Sequence, residues 1–156
     1  MLVARVENTK DFMSQLLKKE VFNSFQVRTL SITTFTTFDI NGVLNKPYLD
    51  NFNEERNYCL WNELQPYALE IIKGNKSPKH IKIVFSAGNH LINIVSPKAS
   101  ALFININFDE NRLIVTSGLS LKTFELDKSI EFIWDEWVNQ FFHRNGINFL
   151  EIENED

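Results

Sequence analysis

Cysteine is almost missing from this chain: Cys59 stands alone among 156 residues, which excludes a disulfide within it. Histidine is nearly as scarce. His80, His90 and His143 lie far apart without cysteine or acidic partners nearby, so the short ligand spacings typical of a metal site do not occur. Glycine numbers only five, scattered, and no clustered glycine loop exists to cradle a phosphate. The segment IKGNKSP holds Gly74 and two lysines without the nucleotide-binding spacing and reads as a helix cap plus a turn. No apolar run approaches the roughly 18 residues of a membrane span. The opening MLVARVENTKDF carries acids and lacks the apolar centre of a secretory signal. The expectation is a cytoplasmic chain with no cofactor, no metal and no membrane contact.

Acidic residues are absent from one whole stretch. Residues 1–70 carry nine acids against seven bases, a balance of −2, and residues 109–156 carry eleven against four, a balance of −7. Residues 71–108 hold no acid and five lysines, Lys73, Lys76, Lys79, Lys82 and Lys98, a balance of +5. Such asymmetry points towards interaction. Lys73, Lys76, Lys79 and Lys82 form a candidate partner or anion patch. Aromatics do not interleave with them before Phe85, so a nucleic-acid partner is not expected. A solvated turn is the first reading of these lysines, and an acidic protein, including the acidic tail of another copy, is the next.

Apolar residues are plentiful. They make up 44% of the chain, with 14 phenylalanines, which suits one packed domain over residues 1–150 and argues against disorder. Residues 151–156, EIENED, are expected to fray. Leu2 to Val6 reads as a strand. Asn8 caps a helix that buries Phe12, Met13, Leu16 and Leu17. Phe25 to Ile40 is rich in Thr, Phe, Val and Ile, but its apolar alternation changes phase. That predicts a bulge or bend near Arg28–Thr29 and another near Thr33–Thr34. Asn41–Gly42 signals a type I′ hairpin, with a return strand over Val43 to Tyr48. A second helix begins at Asp50 or Asn51, kinks or divides into two abutting helices at Pro66 and stops at Gly74. His80 to Phe85 alternates as a strand with one wet face, and residues 86–100 read as loop, with room for a helical turn. Leu102 to Phe108, turned back over Asp109 to Arg112, then Leu113 to Ser117 and Lys122 to Leu126, form a meander broken at Gly118. A further short strand is placed at Ile147 to Ile152.

The strongest helix runs from Asp127 to Gly146, with Ile130, Ile133, Trp134, Trp137, Val138 and Phe141 on one stripe. Phe132 points away from that stripe by about 200° at 100° per residue and is a candidate exposed contact. The order β-α-βββ-α-ββββ-α gives an α+β fold, a mainly antiparallel sheet with three helices.

The stretches SITTFTTFDINGVL, WNELQPYALEIIKGNKSP and SLKTFELDKSIEFIWDEW, with KDFMSQLL near the start, resemble a family of small bacterial proteins known only as a domain of unknown function. The likeness spans nearly the whole chain. Asn41–Gly42 stands where family members carry Asp-Gly, and the resemblance implies no activity. The order of elements is also similar to one half of a sliding-clamp subunit, whose basic helices line a pore.

Residues with catalytic chemistry find plain structural explanations. Cys59 reads as a small buried hydrophobe. Glu131 and Asp135, one turn apart, read as a solvated helix face. The hydroxyls of Ser31 to Thr37 suit the wet side of a strand and have no base beside them. The function expected is a non-catalytic protein-interaction module, with self-association included. The alternatives are a clamp-like nucleic-acid-associated protein and an enzyme whose pocket the sequence does not reveal.

Overall fold

The computed structural model describes residues 1–74 and 76–152. Among these residues seven strands form one sheet: β1 (Val3–Val6), β2 (Gln26–Thr33), β3 (Thr37–Asn41), β4 (His80–Ser86), β5 (Ala99–Asp109), β6 (Arg112–Leu121) and β7 (Phe149–Glu151). Their order is β3-β2-β4-β5-β6-β1-β7, antiparallel at every pairing. Four helices accompany them: α1 (Thr9–Lys18), α2 (Trp61–Ile72), α3 (Asn89–Val95) and α4 (Ser129–Arg144). The class is α+β, with one helix more than the periodicity predicts and a different run of strands.

Side chains alternate across a strand, and in this sheet the alternation separates a dry face from a wet one. Leu30, Ile83, Ile106, Val115 and Ala4 follow one another across neighbouring strands and are all buried. Phe12 and Leu16 of α1, Trp61 and Ala68 of α2, Val95 of α3, and Trp134, Val138 and Phe142 of α4 join them in one core. The next rung carries Ser31, Lys82, Asn107, Ile114 and Arg5. It belongs to the opposite face, which no described helix covers.

Aromatic rings fill the space between helices and sheet. Phe22 stacks on Phe85 at 5.4 Å, and Trp61 meets Phe85 edge-on at 5.4 Å. Both buried indoles find acceptors, as a buried N–H must: Trp61 Nε1 donates to the Leu16 carbonyl at 2.8 Å and Trp134 Nε1 to the Phe103 carbonyl at 3.1 Å. On α4 the predicted stripe holds at Ile130, Trp134, Val138 and Phe141 and extends to Phe142. Ile133 leaves it, at 47% exposure, and Trp137 is only half-buried. Asp127 caps the helix from outside, accepting from the Ser129 N–H at 2.9 Å, and Gly146 ends it with φ +67°.

The bulge arrives where the phase change places it, between Val27 and Thr29. The bend near Thr33–Thr34 is a complete reversal: β2 pairs with β3, Thr33 faces Thr37, and Phe35 sits at the tip. Asn41–Gly42 therefore closes β3 instead of turning a hairpin, and Gly42 has no positive φ. Val43 makes a single bridge to Tyr58, and Lys46–Tyr48 is a 3-10 turn, so the predicted return strand does not form. The type I′ signature of two positive φ values appears instead at Glu110 (51°) and Asn111 (64°), joining β5 to β6.

Other boundaries move as well. The second helix starts at Trp61, where Glu63 accepts from the Leu60 N–H, and continues through Pro66 as one element. Residues 86–100 contain α3, a seven-residue helix without a side-chain cap. Gly118 lies within β6, opposite Phe103, and Lys122 to Leu126 is not a strand. Glu151 ends β7, and the Ile152 N–H donates to the Val3 carbonyl at 2.8 Å. The rest of the predicted frayed tail, 153–156, lies outside the described residues.

Candidate functional site

A bulge gives one strand an extra residue, so two successive side chains reach the same face. Here Arg28 and Thr29 share one partner position opposite Val84, and Arg28 is delivered to the open face. Its Nε donates to Ser86 Oγ at 3.1 Å and its Nη1 to the Tyr58 hydroxyl at 2.9 Å. The guanidinium carbon lies 4.1 Å from the centroid of the Tyr58 ring and 5.3 Å from that of Phe103, both within cation–π range. No described carboxylate pairs with it.

Tyr58 comes from the loop between β3 and α2, and that loop is fastened at several points. Arg56 Nη1 donates to the Tyr58 carbonyl at 2.9 Å and to Glu63 Oε1 at 2.6 Å, and Nε pairs with Glu54. Burial opposes the charge on Glu63, but the Arg56 guanidinium and the Leu60 N–H outweigh it and hold the carboxyl below its ordinary value. Gly42 N–H donates to the Arg28 carbonyl at 3.0 Å, the Cys59 N–H to Gly42 at 2.8 Å, and the Val27 N–H to Cys59 at 2.8 Å. At the bulge β2 thus exchanges its neighbour β3 for residues 58–60. The loop forms one wall of a hollow of about 880 Å³ whose floor includes Thr29, Lys82, Val84 and Phe103. Asp39 stands at its far rim.

The four lysines do not gather at one place, although Lys73 and Lys76 both line a hollow of about 550 Å³ beside Phe35 and Phe38. Lys73 follows α2 and pairs with Glu70. Lys76 lines a separate cleft of about 520 Å³ beside Lys10 and Met13 of α1. Lys79 is exposed just before β4, its N–H bonded to the Thr33 carbonyl at 2.9 Å. Only Lys82 reaches the hollow of Arg28. Phe132 is 73% exposed, with no described residue covering it.

Glu131 and Asp135 are not merely solvated. Both pair with the Met1 ammonium, and Ser117 Oγ donates to Asp135 while accepting from the Leu2 N–H. The hydrogen bond to Glu131 raises the amine pKa and lowers that of Glu131. Burial, then the nearby Glu63 charge, pushes the Cys59 thiol up, which opposes thiolate formation. Among the described residues no three His, Cys, Asp or Glu side chains converge as metal ligands, and no helix is long and apolar enough to cross a membrane.

Sequence reasoning located the bulge but missed the site around it. Arg28, Tyr58, Ser86 and Phe103 are far apart in the chain and each is unexceptional alone. The phase change at Arg28 is the one local signal.

Fold and site together define a two-layer α+β protein with a seven-stranded antiparallel sheet, helices on one face and a basic hollow on the other. The chain belongs to the family of unknown function DUF5721, whose model matches residues 15–150. No curated protein and no solved structure matches it.

Proposed function

We propose that the chain is a non-catalytic, cytoplasmic protein-interaction module whose contact surface lies around the start of α4. The observation that supports this is the exposure of two large apolar side chains, Phe124 (87%) and Leu126 (86%), in the segment leading into that helix. They flank a hollow of about 240 Å³ that also takes in Leu121 and Ile130, with Glu125, Asp127, Lys128 and Glu131 at its rim. Phe132 and Ile133 add exposed apolar surface further along α4. Apolar surface without convergent catalytic groups is what a partner protein covers. Glu125 is already paired with Lys98 and Glu131 with the Met1 ammonium, so the match to a partner rests on the apolar side chains and not on the charge of the rim. The clamp-like reading requires basic residues gathered on helices of one concave surface, and the dispersed lysines give it no support.

The test is affinity capture from the native cell with wild-type and Phe124→Ser/Leu126→Ser chains, beside sedimentation velocity of each. The proposal expects a partner, or self-association, that the double variant loses. Capture and sedimentation identical for the two chains would sink it.

A further inference from the structure

From the hollow on the open face we infer a second binding site, for a monoanionic carboxylate attached to an apolar body, with Arg28 as its anchor. The inference does not rest on the apolar surface at α4, which lies on the helical side of the molecule. A guanidinium carries five N–H groups; the hydroxyls of Ser86 and Tyr58 take two of them, leaving three for a ligand. A half-buried cation without a counter-ion among the described residues carries a desolvation cost that a bound anion offsets. Two hydrogen bonds and two flanking rings hold Arg28 in place, so little of its freedom remains to be lost on binding.

The surroundings select the ligand. Val84 and Phe103 give the floor an apolar patch on which a hydrocarbon or aromatic body lies. Lys82 adds one cation two residues along β4 from Val84. Asp39, on the same rung as Ser31 and Lys82, places a carboxylate at the rim. That negative charge disfavours a phosphate of nearly two charges more than a carboxylate of one. The carboxylate belongs either to a free small acid or to the end of a peptide chain, and the two are separable by experiment.

The experiment is an NMR titration of the full chain, following the Arg28 Nε–Hε signal. The probes are phenylacetate, benzyl alcohol, inorganic phosphate and an acetylated Gly-Gly-Gly-Phe peptide with a free C-terminus. A saturable shift with phenylacetate or the peptide, at an apparent Kd of about 1 mM or below, supports the inference, and the tighter of the two assigns the source. Benzyl alcohol leaves the signal in place. Followed through the ring signals of Tyr58 and Phe103, Arg28→Gln weakens binding at least about tenfold, the scale of a lost charge-assisted hydrogen bond. Asp39→Asn, an exposed change at the sheet edge, tightens it by about twofold by removing an opposing charge. No saturable shift, tighter binding of phosphate, or unchanged affinity in both variants would overturn the inference.

Discussion

Gly42 lies so close to Val27 that a Cβ built on it would stand 1.7 Å from the Val27 carbonyl oxygen. Glycine is required there by space, not by a left-handed backbone. Gly42→Ala is therefore expected to destabilise the fold by about 3 kcal/mol or more, at the upper end of overpacking costs because backbone must move. Gly42→Asn should do no better, although Asn suits a type I′ turn. Gly118→Ala, whose new Cβ meets nothing nearer than 3.7 Å, should stay within about 1 kcal/mol of wild type. Urea melts of the three variants decide the matter; a well-tolerated Gly42→Asn would restore the hairpin reading.

That glycine shows where the sequence could and could not be read. Stripes and alternations report burial directly, so α1, α4, β4 and the bulge at Arg28 were legible. Asn41–Gly42 carries the composition of a turn, yet tertiary packing uses its small glycine for a close approach of β2, residue 42 and the loop. The turn over Asp109 to Arg112 was legible between its two strands, although its type was not, because Glu110–Asn111 adopts it without any glycine. α3 has neither a side-chain cap nor a long stripe. Gly118 looked like a break because what it faces, Phe103, is on another strand. The Arg28 site depends on residues 28, 58, 86 and 103 meeting, and no local pattern encodes that meeting.

The two tryptophans of α4 are expected to differ. Trp134 is fully buried and bonded to the Phe103 carbonyl, so Trp134→Ala should cost about 4 kcal/mol. Trp137 is half-buried, between Trp134 and Phe141, and its truncation should cost about half as much. Equal losses in chemical melts would contradict this ordering.

Cys59 should be a slow nucleophile. Its raised pKa leaves less thiolate at neutral pH than an ordinary cysteine has. Native protein should react with a maleimide or disulfide reagent well below the rate of the same chain in denaturant. Equal rates at pH 7 would show that the surroundings of Cys59 neither shield it nor raise its pKa.

Glu63 links stability to acid. Its folded pKa is depressed below 4.5, so its contribution is present above that value and is lost as pH falls through the folded pKa. Because the side chain is 43% exposed, solvent screens the effect and it should be small. Glu63→Gln should be less stable than wild type at pH 7, and the gap should narrow towards pH 3. A gap that stays constant across that range would remove the Arg56–Glu63 pair from the acid response.

The central claim is that the bulge places Arg28 on the open face between Tyr58 and Phe103. The Arg28 Nε–Hε resonance in the free protein tests it most directly. Ring currents from the flanking aromatics and the bond to Ser86 should shift that signal away from the positions of exposed arginines and slow its exchange with water. Phe103→Leu should move it part of the way back. A signal at the ordinary arginine position, exchanging freely and unaffected by Phe103→Leu, would contradict the account.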